Sequence, residues 1–312
     1  MKHVYGIVPS RRLGRSLGVS TIPFKTCNYS CVYCQLGRTT NMTNTRQTFY
    51  PPEEIIDEFR CFVVKESITD FDVVTIVGEG EPLLYKPLDI IIDSLKTISN
   101  RQVVLITNGS LLYDENVQDE IKGVDILMPT LDAWDDDSFK KINRPYGKLL
   151  FDEVYNGLLE FRKKFIGQIW LEVMLVKGLN DSKKALERLK EKIVELKPER
   201  VYLNVPVRPP AESWVQKPDD KTIKLAREIL NATSIEKYSG GNFVASRKLD
   251  DLSVVLNIIK RHPMRKEDIK ELLKSRGKSE YECDKFMSFL EILDFVEKYN
   301  YGGTIFYRYK KT

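Results

Sequence analysis

Six short apolar, β-branched-rich runs, each followed by a stretch of helical spacing, predict an α/β fold built on parallel strands. The runs are Val19–Pro23, Val73–Val77, Val103–Ile106, Ile126–Pro129, Ile169–Val176 and Val201–Pro206. Glu53–Lys65, Pro87–Ile98, Asp114–Ile121, Phe151–Phe165, Ser182–Leu196 and Lys221–Leu230 supply the helices. Right-handed crossovers between parallel strands leave two architectures, an open doubly wound sheet or a barrel.

A second observation is where the polar and glycine-rich residues fall. A cysteine loop follows the first run, Gly78-Glu79-Gly80-Glu81-Pro82 the second, Thr107-Asn108-Gly109 the third and Leu131-Asp132 the fourth. Lys177-Gly178-Leu179-Asn180-Asp181 follows the fifth and Val207-Arg208-Pro209-Pro210 the sixth. Parallel α/β folds gather ligand chemistry at the carboxyl ends of their strands, so these six positions point to one shared site.

Third, the pattern changes beyond Gly240-Gly241. Leu249–Arg261, Lys266–Leu273 and Tyr281–Leu293 read as three short helices, and Val296–Lys298 with Thr304–Tyr309 flank Tyr301-Gly302-Gly303 as a hairpin. Three helices and a β-hairpin are the order of a winged-helix unit, which serves nucleic-acid binding in some proteins and protein contacts in others. The expected domains are therefore 1–240 and a winged-helix-like 246–312.

At 312 residues and 42% hydrophobic content, the chain can bury a large core. No basic N-terminus followed by an apolar segment suggests a signal peptide, and no apolar run reaches the length of a membrane span. A cytoplasmic location with reduced thiols is the expectation. From Ser246 to Thr312 there are 15 Lys/Arg against 11 Asp/Glu, which accounts for the whole net charge of +4 and leaves residues 1–245 neutral. So mild a surplus fits a solvated surface as readily as a nucleic-acid footprint.

The chemistry lies in Lys-Thr-Cys-Asn-Tyr-Ser-Cys-Val-Tyr-Cys, residues 25–34, which places Cys27, Cys31 and Cys34 within eight residues. A cubane iron–sulfur cluster has four irons and takes a thiolate on each. Three clustered cysteines without a fourth leave one iron open to an exogenous ligand, an arrangement suited to catalysis. The competing readings are a zinc site, which wants four protein ligands when structural, and a disulfide framework, which a chain of this size does not need. Cys61 and Cys283 read as buried structural thiols. The two histidines are His3, at the terminus, and His262, before a proline in the tail, so imidazole acid–base chemistry is not expected within the sheet.

This three-cysteine motif, with Tyr33 before its third cysteine and Gly78–Pro82 after the next strand, resembles the radical S-adenosylmethionine superfamily over residues 1–240. Leu131-Asp132-Ala133 with Asn143-Arg144-Pro145 is similar to the branch that includes the wybutosine-synthesis enzyme acting on tRNA. That enzyme carries further cysteines for a second cluster, and this chain has no second group, so its reaction does not transfer. The resemblance implies a six-fold (β/α) partial TIM-type barrel and a [4Fe-4S] cluster held by Cys27, Cys31 and Cys34. It also implies S-adenosylmethionine chelating the fourth iron, its reductive cleavage to methionine and a 5′-deoxyadenosyl radical, and an electron donor such as ferredoxin or flavodoxin.

The residue types fit those roles. Gly78 and Gly80 permit unusual backbone angles or close approach, so nearby carbonyls can accept from the ligand's ammonium group, with Glu79 or Glu81 adding negative charge; a plain tight turn is the bland alternative. Tyr33 offers a ring or backbone group to adenine, or simply packs under the cluster loop. Asn108 has a donor and an acceptor for ribose or carboxylate, against a simple Asn-Gly turn. Asp132 suits the ribose hydroxyls, and Asn204 and Val205 suit adenine.

For substrate, Arg11, Arg12, Arg15 and Lys25 near the first strand, with Arg144 and Arg208 at later strand ends, suggest an anion, because arginine binds phosphate or carboxylate bidentately. RNA is favoured by the basic tail; a peptide, a protein or a small phosphorylated metabolite are the alternatives. A redox-sensing nucleic-acid binder is the reading from another class, but Tyr281–Leu293 carries Glu282, Asp284 and Glu291 against Lys285, a poor recognition helix.

Overall fold

The computed structural model describes residues 2–234 and 249–310. The chain opens with an antiparallel pair, β1 (Val4–Ser10) and β2 (Gly14–Val19), then a two-residue parallel pair, β3 (Thr26–Cys27) and β4 (Asn41–Met42). Helix α1 (Pro52–Arg60) runs into a π turn, Cys61–Lys65. Then follow β5 (Val73–Ile76), α2 (Leu88–Ser99), β6 (Gln102–Thr107), α3 (Glu115–Ile121), β7 (Ile126–Pro129), α4 (Asp136–Ile142), α5 (Phe151–Lys164) and β8 (Gln168–Met174). After them come α6 (Lys183–Leu196), β9 (Arg200–Asn204), α7 (Asp220–Leu230) and β10 (Thr233–Ser234).

The main sheet has the order β1-β2-β5-β6-β7-β8-β9-β10, parallel from β2 to β10, with β1 antiparallel on one edge. The six strands β2, β5, β6, β7, β8 and β9 form the six-fold partial barrel. Alternate residues explain its two cores. Val74, Ile76, Val103, Leu105, Leu127, Ile169, Leu171 and Leu203 face the surrounding helices, while Val73, Val104, Ile126, Met128, Trp170 and Tyr202 fill the concave side with Leu13. Strands buried on both faces read as continuous apolar runs, which is why most of them were legible.

The first strand was not. It runs Gly14–Val19, ending where the sequence placed its beginning. Gly14, Arg15, Ser16 and Gly18 hide it from an apolar search, and Gly18 is required because a Cβ there would overlap the Tyr5 ring of β1. The apolar stretch Val19–Pro23 is the buried loop leading to the cysteines, where Pro23 cannot donate to a ladder. Edge strand β1, carrying Gly6 and Pro9, lacked a strand signal, as did the two-residue β10. Helix α4 was missed too, although Asp135 and Ser138 form its capping box.

The expected boundary at Gly240-Gly241 and Ser246 lies outside the described residues. Beyond it are α8 (Asp251–Ile259), β11 (Met264–Arg265), α9 (Lys266–Ser275), α10 (Glu280–Glu291), β12 (Val296–Tyr301) and β13 (Thr304–Tyr309), with a β11-β13-β12 sheet. They share a separate core that includes Val255, Ile258, Ile269, Leu273, Leu290, Tyr307 and the buried Cys283, against which Val8 of β1 packs. Among the described residues no helix is long and apolar enough to cross a membrane.

Candidate active site

Cys27 ends β3, and Cys31 and Cys34 follow in a loop pinned to the segment after α4. Ser30 N–H donates to the Asn143 carbonyl at 3.1 Å, Val32 N–H to that of Ile142 at 3.0 Å, and Cys34 N–H to that of Cys31 at 3.1 Å. Three N–H groups are aimed at sulfur. Tyr29 N–H lies 3.4 Å and Asn108 Nδ2 3.8 Å from Cys27 Sγ, and Asn143 Nδ2 lies 3.6 Å from Cys31 Sγ. Burial raises all three thiols, Cys31 to about 12. Such thiols ionise when a metal supplies the missing positive charge. Among the described residues no three His, Cys, Asp or Glu side chains converge on one ion. A cubane asks for something else, one thiolate per iron corner, and a single loop with three sulfurs and directed N–H donors fits that demand. Cys61 lies half-buried at the π turn, in a different part of the chain.

The loop after β5 is stitched to the cysteine loop. Lys25 N–H donates to the Glu79 carbonyl at 2.6 Å, and Glu81 N–H to that of Thr26 at 3.1 Å. Close approach, not unusual backbone, explains its glycines: neither Gly78 nor Gly80 has positive φ. A Cβ on Gly80 would overlap the Thr26 carbonyl, and one on Gly78 would sit 2.8 Å from Ile22 Cδ1. Glu81 is buried and spent internally, accepting from Leu83 N–H at 2.9 Å, Thr107 Oγ1 at 2.5 Å and Asn108 N–H at 2.7 Å; burial lifts its carboxyl to about 7. Glu79 accepts from Ser20 Oγ at 3.2 Å and lies 3.4 Å from Arg261 Nη2 of the C-terminal unit.

Asp132 is buried and similarly engaged. Its Oδ1 accepts from Met174 N–H at 2.7 Å, and its Oδ2 from Asn143 Nδ2 at 3.0 Å and from the Tyr33 hydroxyl. Burial lifts this carboxyl to about 6 against those bonds. Asn108 gives its amide N–H to Asn28 Oδ1 at 2.8 Å and accepts from Ser110 N–H at 2.9 Å. The structure thus gathers Tyr33, Asp132 and Asn108 at the cysteine loop, but as a bonded scaffold.

A cavity of about 370 Å³ lies inside the partial barrel. Of the expected cofactor positions, Tyr33, Gly78, Asn204 and Val205 line it, together with Cys34. Of the expected substrate arginines, Arg11, Arg12 and Arg208 line it. Arg12 pairs with Glu172 of β8, and burial, then neighbouring Arg11, lowers its guanidinium to about 10. The other three cations go elsewhere. Arg15 pairs on the surface with Asp70 and with Asp72 at 2.9 Å, at the amino end of β5, opposite the cysteine loop. Arg144 pairs with Glu212, a carboxylate that Arg38 and then Arg144 hold down at about 2. Lys25 Nζ sits 5.4 Å from the Phe24 ring centroid.

Among the cavity residues that escaped the sequence reading are Tyr5, Glu172, Arg261 and His262. Glu172 carried a signal, a lone carboxylate at a core-facing step of an apolar run, where only a paired charge is tolerated. His262 and Arg261 carried none, because only the seating of the C-terminal unit on β1 brings them in. His262 thus borders the cavity although it lies in the tail of the sequence.

A parallel partial barrel with three thiols at the carboxyl end of its first strand, opening on a cavity, defines the class. The family model for the Radical SAM superfamily matches residues 21–189, and the chain belongs to that superfamily, whose members are enzymes that use a [4Fe-4S] cluster and S-adenosylmethionine. More particularly, it is 34% identical to a UPF0026 protein of Methanocaldococcus jannaschii over 98% of this chain and 96% of that one. Among solved structures, a radical SAM methyltransferase from Sphaerobacter thermophilus is similar with a TM-score of 0.57 at 19% identity, over 75% of this chain and 69% of that one. TYW1 with a lysine-pyruvate adduct bound is similar with a TM-score of 0.52 at 19% identity, over 70% and 74%. At those identities the two structures speak to the fold alone.

Proposed function

We propose that this enzyme directs its radical chemistry at a small anionic substrate held in the barrel cavity. Cys27, Cys31 and Cys34 ligate three corners of the cluster. A bound cluster and S-adenosylmethionine supply reductive cleavage of the sulfonium and a 5′-deoxyadenosyl radical that removes a hydrogen atom from substrate. Gly78 lets the backbone approach the ligand's amino acid end, with Glu79 as its negative neighbour, while Tyr33, Asn204 and Val205 border the adenosyl group. Asp132 and Asn108, being hydrogen-bonded already, hold Tyr33 and the cysteine loop in place instead of reaching the ribose, and Gly80 and Glu81 hold the loop in register. The observation that carries the substrate class is that the wall with Cys34 and Tyr33 is continuous with one bearing Arg11, Arg12, Arg208 and Arg261.

A small anion suits this cavity better than RNA. Residues at the end of α8 close over it, and basic residues of the C-terminal unit are taken up by its own acids. Lys270 pairs with Glu280 at 2.8 Å and Asp284 at 2.6 Å, Lys274 with Glu280 at 2.5 Å, and Arg276 with Asp251 at 2.7 Å. In this reading the unit is a winged-helix-like cover, and a cytoplasmic ferredoxin or flavodoxin supplies the electron.

Anaerobic reconstitution with iron and sulfide, then dithionite and S-adenosylmethionine, tests the proposal through 5′-deoxyadenosine formation and the change in cluster spectrum when S-adenosylmethionine is added. Phosphorylated and carboxylated metabolite pools are expected to raise the yield. Stimulation by an RNA pool alone would sink the small-substrate reading.

A further inference from the structure

One residue of the C-terminal unit touches both loops of the cofactor platform. Arg261 lies two residues beyond the end of α8, where a basic side chain can satisfy the carbonyls that the last helical turn leaves open. Its Nη1 donates to the Asn257 carbonyl at 2.9 Å and its Nη2 to that of Lys2 at 2.5 Å, and its guanidinium carbon sits 5.1 Å from the centre of the Tyr5 ring. Its own helix and the N-terminal segment thus fix the guanidinium beside Glu79, with Nη2 3.4 Å from a carboxylate oxygen.

Glu79 carries this contact into the platform. Its carboxylate also accepts from Ser20 Oγ at 3.2 Å, while its backbone carbonyl accepts from Lys25 N–H at 2.6 Å, two residues before Cys27. Gly78, its neighbour, lines the barrel cavity. From the other side, the Arg261 carbonyl lies 3.5 Å from Gln35 Nε2, one residue past Cys34. Arg261 therefore reaches the Gly78–Pro82 loop through its side chain and the end of the cysteine loop through its backbone. Both side chains of the Arg261–Glu79 pair are nine-tenths buried. Removing the guanidinium alone strands a buried carboxylate, a costly state that the loop relieves by shifting, whereas removing both charges leaves no such demand.

We propose that Arg261 is a positioning residue for S-adenosylmethionine binding: through Glu79 it holds the Gly78–Pro82 loop against the cysteine loop, so full affinity for the cofactor requires the C-terminal unit to be seated on the barrel. This rests on the reading above that the Gly78–Pro82 loop meets the amino acid end of S-adenosylmethionine, and it adds the dependence on a residue nearly 200 positions further along the chain.

Titrating S-adenosylmethionine into the reconstituted, reduced full chain and following the cluster's paramagnetic resonance spectrum tests it without substrate or turnover. A saturable spectral change is expected for the wild type. Arg261→Ala should weaken binding about tenfold, the scale of one hydrogen bond to a charged group, with iron content unchanged. Glu79→Gln should also weaken binding, and the double variant should match Arg261→Ala, because the two residues act through one contact. Arg261→Gln, which keeps amide donors for the Asn257 and Lys2 carbonyls but no charge opposite Glu79, should weaken binding in the same sense and carries the comparison should Arg261→Ala take up no iron. Wild-type affinity in an iron-replete Arg261 variant, or losses that multiply in the double variant, overturns the role of Arg261 while the reading of the Gly78–Pro82 loop stands. Wild-type affinity in Glu79→Gln together with the Gly78→Val variant overturns that reading, and the role of Arg261 falls with it.

Discussion

Two walls of one cavity are built by opposite rules. Around the cysteine loop, buried polar groups are spent on each other: Asp132 on Tyr33, Asn143 and Met174, Glu81 on Leu83, Thr107 and Asn108. The wall shared by the N-terminal hairpin, β9 and the C-terminal unit instead collects guanidiniums, of which Arg12 pairs with Glu172 and Arg261 with Glu79, and leaves a buried Arg261 Nε without a hydrogen-bond partner. A cofactor platform gains from rigidity and so satisfies itself, whereas a ligand-facing surface must keep donors that the ligand will complete. That difference orders the outcomes of perturbing either wall.

The largest effect is expected on the platform. Cys31→Ala should abolish cluster assembly and 5′-deoxyadenosine formation together; a variant that still binds four irons and turns over would break the distinction at its root. On the other wall, Arg12→Ala strands the Glu172 carboxylate in the barrel, which should cost about 3 kcal/mol. Chemical denaturation of the iron-free protein reads this, and Arg12→Ala with Glu172→Gln should recover much of it.

Gly80→Ala comes next, at about 2 kcal/mol for forcing a methyl against the Thr26 carbonyl. It should also lower iron content, because Thr26 precedes Cys27. An unaltered denaturation midpoint would mean that the two loops yield easily. A pH titration sharpens the contrast further. The Glu81 and Asp132 carboxyls are raised to about 7 and about 6 from ordinary values of 4.5 and 3.8. Their neutral forms are favoured in the folded chain, so the stability they contribute is fully present below pH 3.8 and is lost as pH rises through about 6 and then about 7. Stability of the iron-free protein should therefore fall between about pH 4 and about pH 7, and Glu81→Gln should flatten that slope. The smallest effect is expected at Arg15, whose exposed pairing with Asp70 and Asp72 leaves it outside both walls. Arg15→Ala should retain parental iron content and 5′-deoxyadenosine formation.

What could be read in advance divides along these lines. Val73–Val77, Val103–Ile106 and Ile126–Pro129 declared themselves because strands buried on both faces have nothing polar to interrupt them. Gly14–Val19 did not, since its glycines admit the Tyr5 ring and its Ser16 faces inward to Thr75 at 2.6 Å. Tyr33, Asn108 and Asp132 do gather at the cysteine loop, but the bonding of Asp132 and Asn108 depends on neighbours up to 99 residues away. Arg15 and Arg208 looked alike as arginines near strand ends; one meets two surface aspartates and the other a buried imidazole.

The amino-acid order by itself determined the parallel α/β pattern and the three thiols of the cysteine loop, because apolar periodicity and short-range spacing are local properties of the chain. Only the folded arrangement decided which arginines face the cavity and that Arg261 and His262 join them, because those positions follow from how the last sixty residues seat on β1. Such long-range packing leaves no periodic trace in the sequence.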